Sequence, residues 1–265
     1  MPELAEVEYY RARWDCARKQ KIRAVTLHGN NRVFRGANAR ALQRRLVHSR
    51  LLESCGHGKQ MLFHFAKNAW LGIHLGMTGE LRVELPGFIP GAHDHLVLFL
   101  PKRTLVFRDP RQFGRIRFDI GPAEPDWWKQ LPADLFSRHF TRAAVAKTLH
   151  RRSRAPLKAV LLLQKFFPGV GNWMADEILW RARIHPRIAA GELGAPEVRR
   201  LWEAIRVVSR QAMKIIGKDF SDPPASWLFR HRWRKSGICP RCQGPLQHAT
   251  IGGRTTCWCR KCQAR

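Results

Sequence analysis

Hydrophobic positions recur along this chain in two different periods. Over residues 3 to about 18, Leu4, Val7, Tyr10 and Trp14 return at spacings of three and four, which predicts an amphipathic helix. From about 21 to 120 the pattern changes to short β-prone runs: KIRAVTLH, QMLFHFA, WLGIHLG, HLVLFL, TLVFR and RIRFDI. Gly, Pro, Asn and Asp turns separate them, so the region reads as a mostly antiparallel sandwich or barrel-like domain. GPAEPDWW (121–128) gathers Pro, Gly and acid and reads as a linker. Helical patterns follow at 141–150, 156–167 and 172–183. The strongest runs from 196 to 216, with Pro196 at its start and Gly217 just past its end. Val198, Leu201, Ile205, Val208, Ala212 and Ile215 mark its apolar face. The expected organisation is α+β: an N-terminal β-sandwich domain over 1–120 that begins with the first helix, a linker over 121–128, a helical domain over 129–230, and a cysteine-rich segment over 231–265.

Charge changes the picture. Forty-eight Lys and Arg against 20 Asp and Glu give a formal net charge of +28, which repels itself unless a polyanion uses it. Nucleic acid is the expected polyanion. Anionic membrane is the rival, but no concentrated Lys tract or basic amphipathic anchor is visible, and each apolar stretch is broken by Arg, Lys or His well short of a spanning length. The first fifteen residues are charged throughout and lack the apolar segment of a secretory signal, so a cytoplasmic protein is expected.

Five of the seven cysteines fall in the last 27 residues. Cys239 and Cys242 form one CxxC knuckle, and Cys259 and Cys262 form another after 16 intervening residues. Two knuckles at this separation predict one structural, four-thiolate Zn²⁺, because a two-residue gap lets both sulfurs of a knuckle face one ion. Disulfides are the rival, disfavoured in a reducing compartment. The intervening segment alternates around GG and reads as a hairpin with Arg254 near its tip. Cys257 reads as a packing residue, and Cys16 and Cys55 as buried small hydrophobes.

Pro2 follows the initiator Met. Freed of Met1, it would be a secondary amine with a pKa well below that of Lys, able to attack an aldehyde-like carbon and form an iminium. Glu3 stands beside it as a proton shuttle. Taken alone these two residues are also consistent with an ordinary helix start.

In context they carry more. MPELAEVE, GHGKQMLF (56–63), HLGMTGELR (74–82), HDHLVLFL (93–100), DPRQFGRIRF (109–118), FPGVGNWMADEILWRARIHP (167–186) and GGRTTCWCRKCQ (252–263) occur in one order along nearly the whole chain. In that order they resemble the formamidopyrimidine-DNA glycosylase and endonuclease VIII family of base-excision repair enzymes. The resemblance implies a β-sandwich beginning with a catalytic helix, then a helix–two-turns–helix domain and a zinc ribbon. It implies that Pro2 attacks C1′ of the damaged nucleotide, Glu3 moves protons, Glu6 supports the site, Lys59 assists β-elimination, and Arg254 grips phosphate and assists a second elimination. A wedge of Met77, Arg111 and Phe113 would fill the hole left by the flipped nucleotide. His93, Arg154, Lys158 and Asn172 would contact the DNA, with the helix opened by Asn172 offering its N–H groups to a phosphate. The implied partner is double-stranded DNA with a damaged base or abasic site, bound by a monomer.

The chain departs from the family pattern in places. Ala5 stands where Pro is usual. Gln112 replaces an Arg, which removes one charge-assisted contact. The stretch from Gly217 to Arg234 is shorter than the segment carrying the lid over flipped 8-oxoguanine, and SWLFRHRW resembles the endonuclease VIII-like members. The expected reaction is removal of 8-oxoguanine or formamidopyrimidine-type lesions with strand nicking. Its alternatives are an oxidised-pyrimidine glycosylase, a metal-dependent nuclease, for which no spare ligand cluster is evident, and a non-catalytic zinc-ribbon DNA-binding protein.

Overall fold

A computed structural model describes residues 1–28, 31–234 and 236–264. Two compact units result, one of Met1–Pro2 with Glu6–Leu131, the other of Glu3–Ala5 with Pro132–Arg265. The architecture is α+β, as expected.

Among the described residues, the first unit holds most of α1 (Leu4–Arg13), α2 (Ala39–Leu46) and eight strands: β1 (Ala24–Leu27), β2 (Leu51–His57), β3 (Gln60–Phe65), β4 (Ala69–His74), β5 (Glu80–Glu84), β6 (Asp94–Phe99), β7 (Thr104–Arg108) and β8 (Arg115–Ile120). They form two antiparallel four-stranded sheets, ordered β1-β6-β7-β5 and β2-β3-β4-β8. Phe63, Phe65 and Leu71 from one sheet share a core with Leu96, Leu105 and Phe107 from the other. Trp14, just past α1, is fully buried in that core, tilted against Phe63 at 5.0 Å and donating its indole N–H to the Arg82 carbonyl at 3.1 Å.

Two elements here escape the hydrophobic pattern. Strand β2 lies at a sheet edge and is mostly exposed, so its sequence does not alternate. Helix α2 buries only Leu42 and Leu46, one turn apart, and its start is fixed by Asn38, whose side chain accepts from Ala41 N at 2.9 Å. Cys55 lies on β2 and Cys16 on the turn after α1. Both are exposed, which corrects the expectation of buried thiols. Short helix α3 (Asp126–Lys129) begins inside the segment read as a linker.

The second unit holds α4 (Arg142–Arg151), α5 (Leu157–Leu161), α6 (Asn172–Ala182) and α7 (Ala195–Asp219), then the hairpin β9 (Leu246–Ile251) and β10 (Arg254–Cys259). Helix α5 is shorter than its apolar run suggests. Gln164 instead ties the following turn together, donating to the Val170 carbonyl at 2.8 Å and accepting from Gly169 N at 3.1 Å. Helix α7 runs past Gly217, which is buried inside it, and stops at Phe220 in a left-handed cap (φ 64°). Among the described residues no helix is long and apolar enough to cross a membrane.

Candidate functional site

The turn FPGVGNW explains itself in the second unit. Gly169 takes φ +88°, open to glycine, and its carbonyl accepts from Leu4 N at 3.0 Å. Gly171 is needed for space, because a Cβ there would lie 2.2 Å from Cδ of Glu3. Into that gap the Glu3 carboxylate is seated, 2% exposed. Its oxygens accept from Gly171 N at 3.0 Å, Trp173 N at 2.9 Å and Met174 N at 3.1 Å. These are the orphan donors of the first turn of α6, at the positive end of the helix dipole. Glu3 thus takes the N–H groups of Gly171, Trp173 and Met174, part of the set expected to receive a phosphate. Pro2, the chain neighbour of Glu3, is part-exposed.

Beneath this turn lies a buried ion cluster. Lys158 on α5 pairs with Asp176 on α6 and donates to the Asn172 carbonyl at 2.7 Å. Arg232 donates to the same carboxylate at 2.6 Å, and so does Cys257 N at 3.2 Å. Lys158 is 0% exposed, and burial lowers its pKa against the pull of Asp176. The expected solvent-facing DNA contact is therefore corrected: Lys158 is enclosed. Arg154, four residues upstream, is exposed. Asn172 donates its side-chain amide to the Thr255 carbonyl at 2.8 Å, tying α6 to β10.

The β9–β10 hairpin turns at Gly252 and Gly253 with φ +59° and +72°, the pattern of a two-residue hairpin loop. A Cβ on Gly252 would meet Cβ of Ala159 at 2.7 Å, so the tip rests on α5. Arg254 follows, exposed, at the start of β10. Behind it, the Sγ atoms of Cys239, Cys242, Cys259 and Cys262 lie within 4.8 Å of one another, a cluster able to hold one metal ion. Tetrahedral thiolates at about 2.3 Å from one zinc stand about 3.8 Å apart. The observed 3.8 Å for Cys239–Cys262 and 3.4 Å for Cys242–Cys259 fit that geometry. The Trp180 indole donates to Cys239 Sγ at 3.3 Å. Cys257 stands outside the cluster, buried, its thiol pushed up to about 12 by burial first and then by Asp176.

In the first unit, Gly58 (φ +59°) and Lys59 form the β2–β3 turn, and Lys59 is buried rather than solvated. His74 accepts from Gly76 N at 3.0 Å through Nδ1, and its pKa falls to about 4 through burial first, then the charges of Lys59, Arg117 and Arg35.

Met77 and Phe113 stand on two turns locked back to back. A Cβ at Gly76 (φ +64°) would lie 2.4 Å from the Phe113 carbonyl carbon. Asp109, fully buried, accepts from Gly114 N at 2.7 Å, Thr78 Oγ1 at 2.7 Å and Arg111 N at 3.3 Å. Asn31 donates to Nδ1 of buried His95, leaving the Nε2 proton to bond the Asp109 carbonyl at 2.9 Å. So held, Met77 and Phe113 remain 38% exposed each, with the Arg111 guanidinium 4.7 Å above the Phe113 ring. Exposed His93 accepts from Asp109 N at 3.0 Å through its carbonyl, which puts it beside the same turn. The Gln112 side chain accepts from Arg32 N at 3.1 Å.

The second unit thus brings Glu3, Asn172 and Lys158 together, with Arg254 on the neighbouring hairpin. The first groups Met77, Arg111, Phe113 and His93, while Lys59 lies near His74. Glu6 is part-exposed on α1. Asp176, Asp109 and His74 escape a reading of the sequence: each is a lone polar residue whose partners lie on other elements, and only the turn context of Asp109 gives any signal. Arg232 gives none.

The Glu3 carboxylate seated on a Gly-rich helix start next in sequence to Pro2, the four-cysteine hairpin, and exposed Met77, Arg111 and Phe113 belong to an enzyme of the DNA glycosylase class. The family model "Formamidopyrimidine-DNA glycosylase N-terminal domain" matches residues 1–116, and "Formamidopyrimidine-DNA glycosylase H2TH domain" matches 131–222. A formamidopyrimidine-DNA glycosylase of Thermus thermophilus is 36% identical over 99% of this chain and 98% of its own. That of Solibacter usitatus is 32% identical over the whole of both chains. Among solved structures, wild-type Lactococcus lactis Fpg (MutM) in complex with an oxidised-pyrimidine-containing DNA is similar at TM-score 0.88 and 25% identity, covering 100% of each chain. The chain belongs to the formamidopyrimidine-DNA glycosylase family. It is a DNA glycosylase of base-excision repair.

Proposed function

We propose that the protein removes oxidised bases of the 8-oxoguanine and formamidopyrimidine type from duplex DNA and then nicks the strand. Pro2 nitrogen, freed of Met1, bonds to C1′ as the glycosidic bond breaks and the base departs with its electron pair. Loss of the sugar-ring oxygen from C1′ gives an iminium, with Glu3 carrying the proton. Abstraction of a C2′ proton then expels the 3′ phosphate, assisted by Lys59. A further elimination expels the 5′ phosphate, assisted by Arg254. Met77, Arg111 and Phe113 occupy the vacated stack. His93, Arg154 and Asn172 hold the backbone, Lys158 supports Asn172 from behind, and Glu6 supports the first turn of α1. One structural zinc holds the ribbon through Cys239, Cys242, Cys259 and Cys262. The working form is a cytoplasmic monomer on damaged or abasic duplex DNA.

The observation that carries this reading is the Glu3 carboxylate, fixed by three backbone N–H groups one residue from the reactive nitrogen. Fixing that carboxylate before substrate arrives is what proton transfer in a glycosylase requires. Borohydride added during turnover is expected to trap a covalent protein–DNA adduct that maps by mass to the N-terminal peptide, and Pro2→Gly is expected to lose it. No adduct on abasic or 8-oxoguanine DNA, with base excision intact, would leave a glycosylase that works without a Schiff base at Pro2.

A second lesion class is favoured by one observation. The segment following α7 carries Trp227 and Phe229 against Trp173 of α6, with Trp233 against Phe229, an aromatic cluster in the stretch too short for a purine lid. Parallel excision kinetics on 8-oxoguanine, formamidopyrimidine and thymine glycol duplexes decide it.

A further inference from the structure

Away from the candidate site, α7 and the segment entering α4 flank an open groove of about 440 Å³. Arg199, Trp202, Glu203 and Arg206 line it from α7, at the spacings of three and four that put side chains on one helix stripe. Arg138 and Arg142 line it from the other side. The Trp202 indole donates to the Phe140 carbonyl at 3.0 Å, which fixes the two walls to each other, and Arg206 lies 4.8 Å over the indole ring. Arg199 is paired with Glu203 at 2.9 Å. Among the described residues, Arg138, Arg142 and Arg206 have no carboxylate at ion-pair distance. The groove therefore presents three uncompensated guanidinium groups on a rigid frame, and it shares no residue with the site described above.

We propose that this groove binds the phosphodiester backbone of a second DNA segment. The proposal rests on the reading that DNA is the partner and goes beyond it. Guanidinium forks match phosphate oxygens in pairs of hydrogen bonds. Two exposed arginines, Arg138 and Arg142, and half-buried Arg206 ranged along an open groove suit a polymer that repeats its charge every few ångströms, whereas a single small anion needs an enclosed pocket. A chain at +28 has charge to spare beyond one duplex track. With a second segment held here, the enzyme passes from one duplex to another without first becoming free.

Stopped-flow dissociation tests this. The full-length protein, bound to a short fluorescent undamaged duplex, is mixed with rising concentrations of the same duplex unlabelled. Direct transfer makes the dissociation rate climb several-fold with competitor, whereas escape through the free state leaves it flat. Arg142→Ala/Arg206→Ala is expected to flatten the dependence while single-turnover nicking of a lesion duplex stays within twofold. Arg138→Ala/Arg142→Ala, which leaves the Trp202 contacts intact, should do the same. A flat wild-type response, an equal slope in both variants, or an equal rise with polyglutamate would overturn the proposal. A chain that transfers but never nicks would refute the catalytic reading instead.

Discussion

Glu3 occupies the space that a side chain at Gly171 would need: its Cδ lies 2.2 Å from where a Cβ would be. The carboxylate and the Gly-rich turn therefore depend on each other. Gly171→Ala must displace Glu3 from at least one of its three N–H donors. Base excision in single turnover is expected to fall at least about tenfold, the scale of a misplaced catalytic proton carrier, with a stability loss of about 1–3 kcal/mol. Wild-type excision by the Gly171→Ala variant would show that the seat is not used in catalysis.

Legibility in the sequence follows distance along the chain. The two CxxC knuckles, the hairpin between them, the Gly169–Gly171 turn and the apolar stripe of α7 are local patterns, and each stands where its residues indicate. Lys158 is misread because its partners are remote: Asp176 lies 18 residues on, and Arg232 another 56 beyond that. A lysine beside a basic segment looks solvated until a buried carboxylate is brought to it. The acceptor for Trp173 N and Met174 N is missed for the same reason, since Glu3 lies about 170 residues away along the chain. Edge strand β2 shows no alternation because most of it faces solvent.

The ion cluster predicts an order of stabilities. Asp176→Asn strands two buried cations, Lys158 and Arg232, whereas Lys158→Met leaves Asp176 still paired with Arg232. The first change should cost about 3–5 kcal/mol and the second distinctly less. Urea unfolding of both variants tests the order. The reverse order would mean that Arg232 alone does not compensate the carboxylate.

His74 predicts a pH dependence. Its pKa falls from 6.5 unfolded to about 4 folded, so between those values the unfolded chain binds the extra proton. Stability from His74 is then complete above pH 6.5 and is lost as pH falls toward 4, at a slope of up to about 1.4 kcal/mol per pH unit. His74→Asn keeps an acceptor for Gly76 N but cannot titrate. Urea midpoints measured from about pH 7 down to about 4.5, the span of the two pKa values, should fall more steeply in the wild type than in the Asn variant. Parallel curves would refute the assignment.

The ribbon has a core of its own, in which Cys239, Cys257 and Cys259 pack with Leu246, Leu228 and Trp180. That is too little apolar surface to hold a two-stranded hairpin without metal. Metal analysis is expected to find one zinc per chain. Its removal by a strong chelator, or Cys242→Ser, should abolish hydrogen-exchange protection in β9 and β10 while the helices around Leu201, Ile205 and Ile178 stay protected. DNA affinity should fall with the loss of Arg254's rigid presentation. Full protection of the hairpin in metal-free protein would show that packing alone suffices.

The wedge turns are held from beneath by Asp109 while their tips stay exposed, which separates stability from function at Phe113. Phe113→Ala removes a ring that lies beneath the Arg111 guanidinium, so folding should lose only about 0.5–1 kcal/mol. If Phe113 is, as proposed, the apolar wedge that fills the opened step, extrusion of the damaged nucleotide should be hit much harder. With 2-aminopurine placed beside the lesion, its fluorescence rise should slow at least about tenfold in Phe113→Ala, and excision should slow in step, while initial binding to undamaged duplex is unchanged. Met77→Ala, on the partner turn, should add to the defect less than independently, since the two side chains would enter one gap. If extrusion in Phe113→Ala runs at the wild-type rate, the ring is a surface residue and the opened stack is filled by something else.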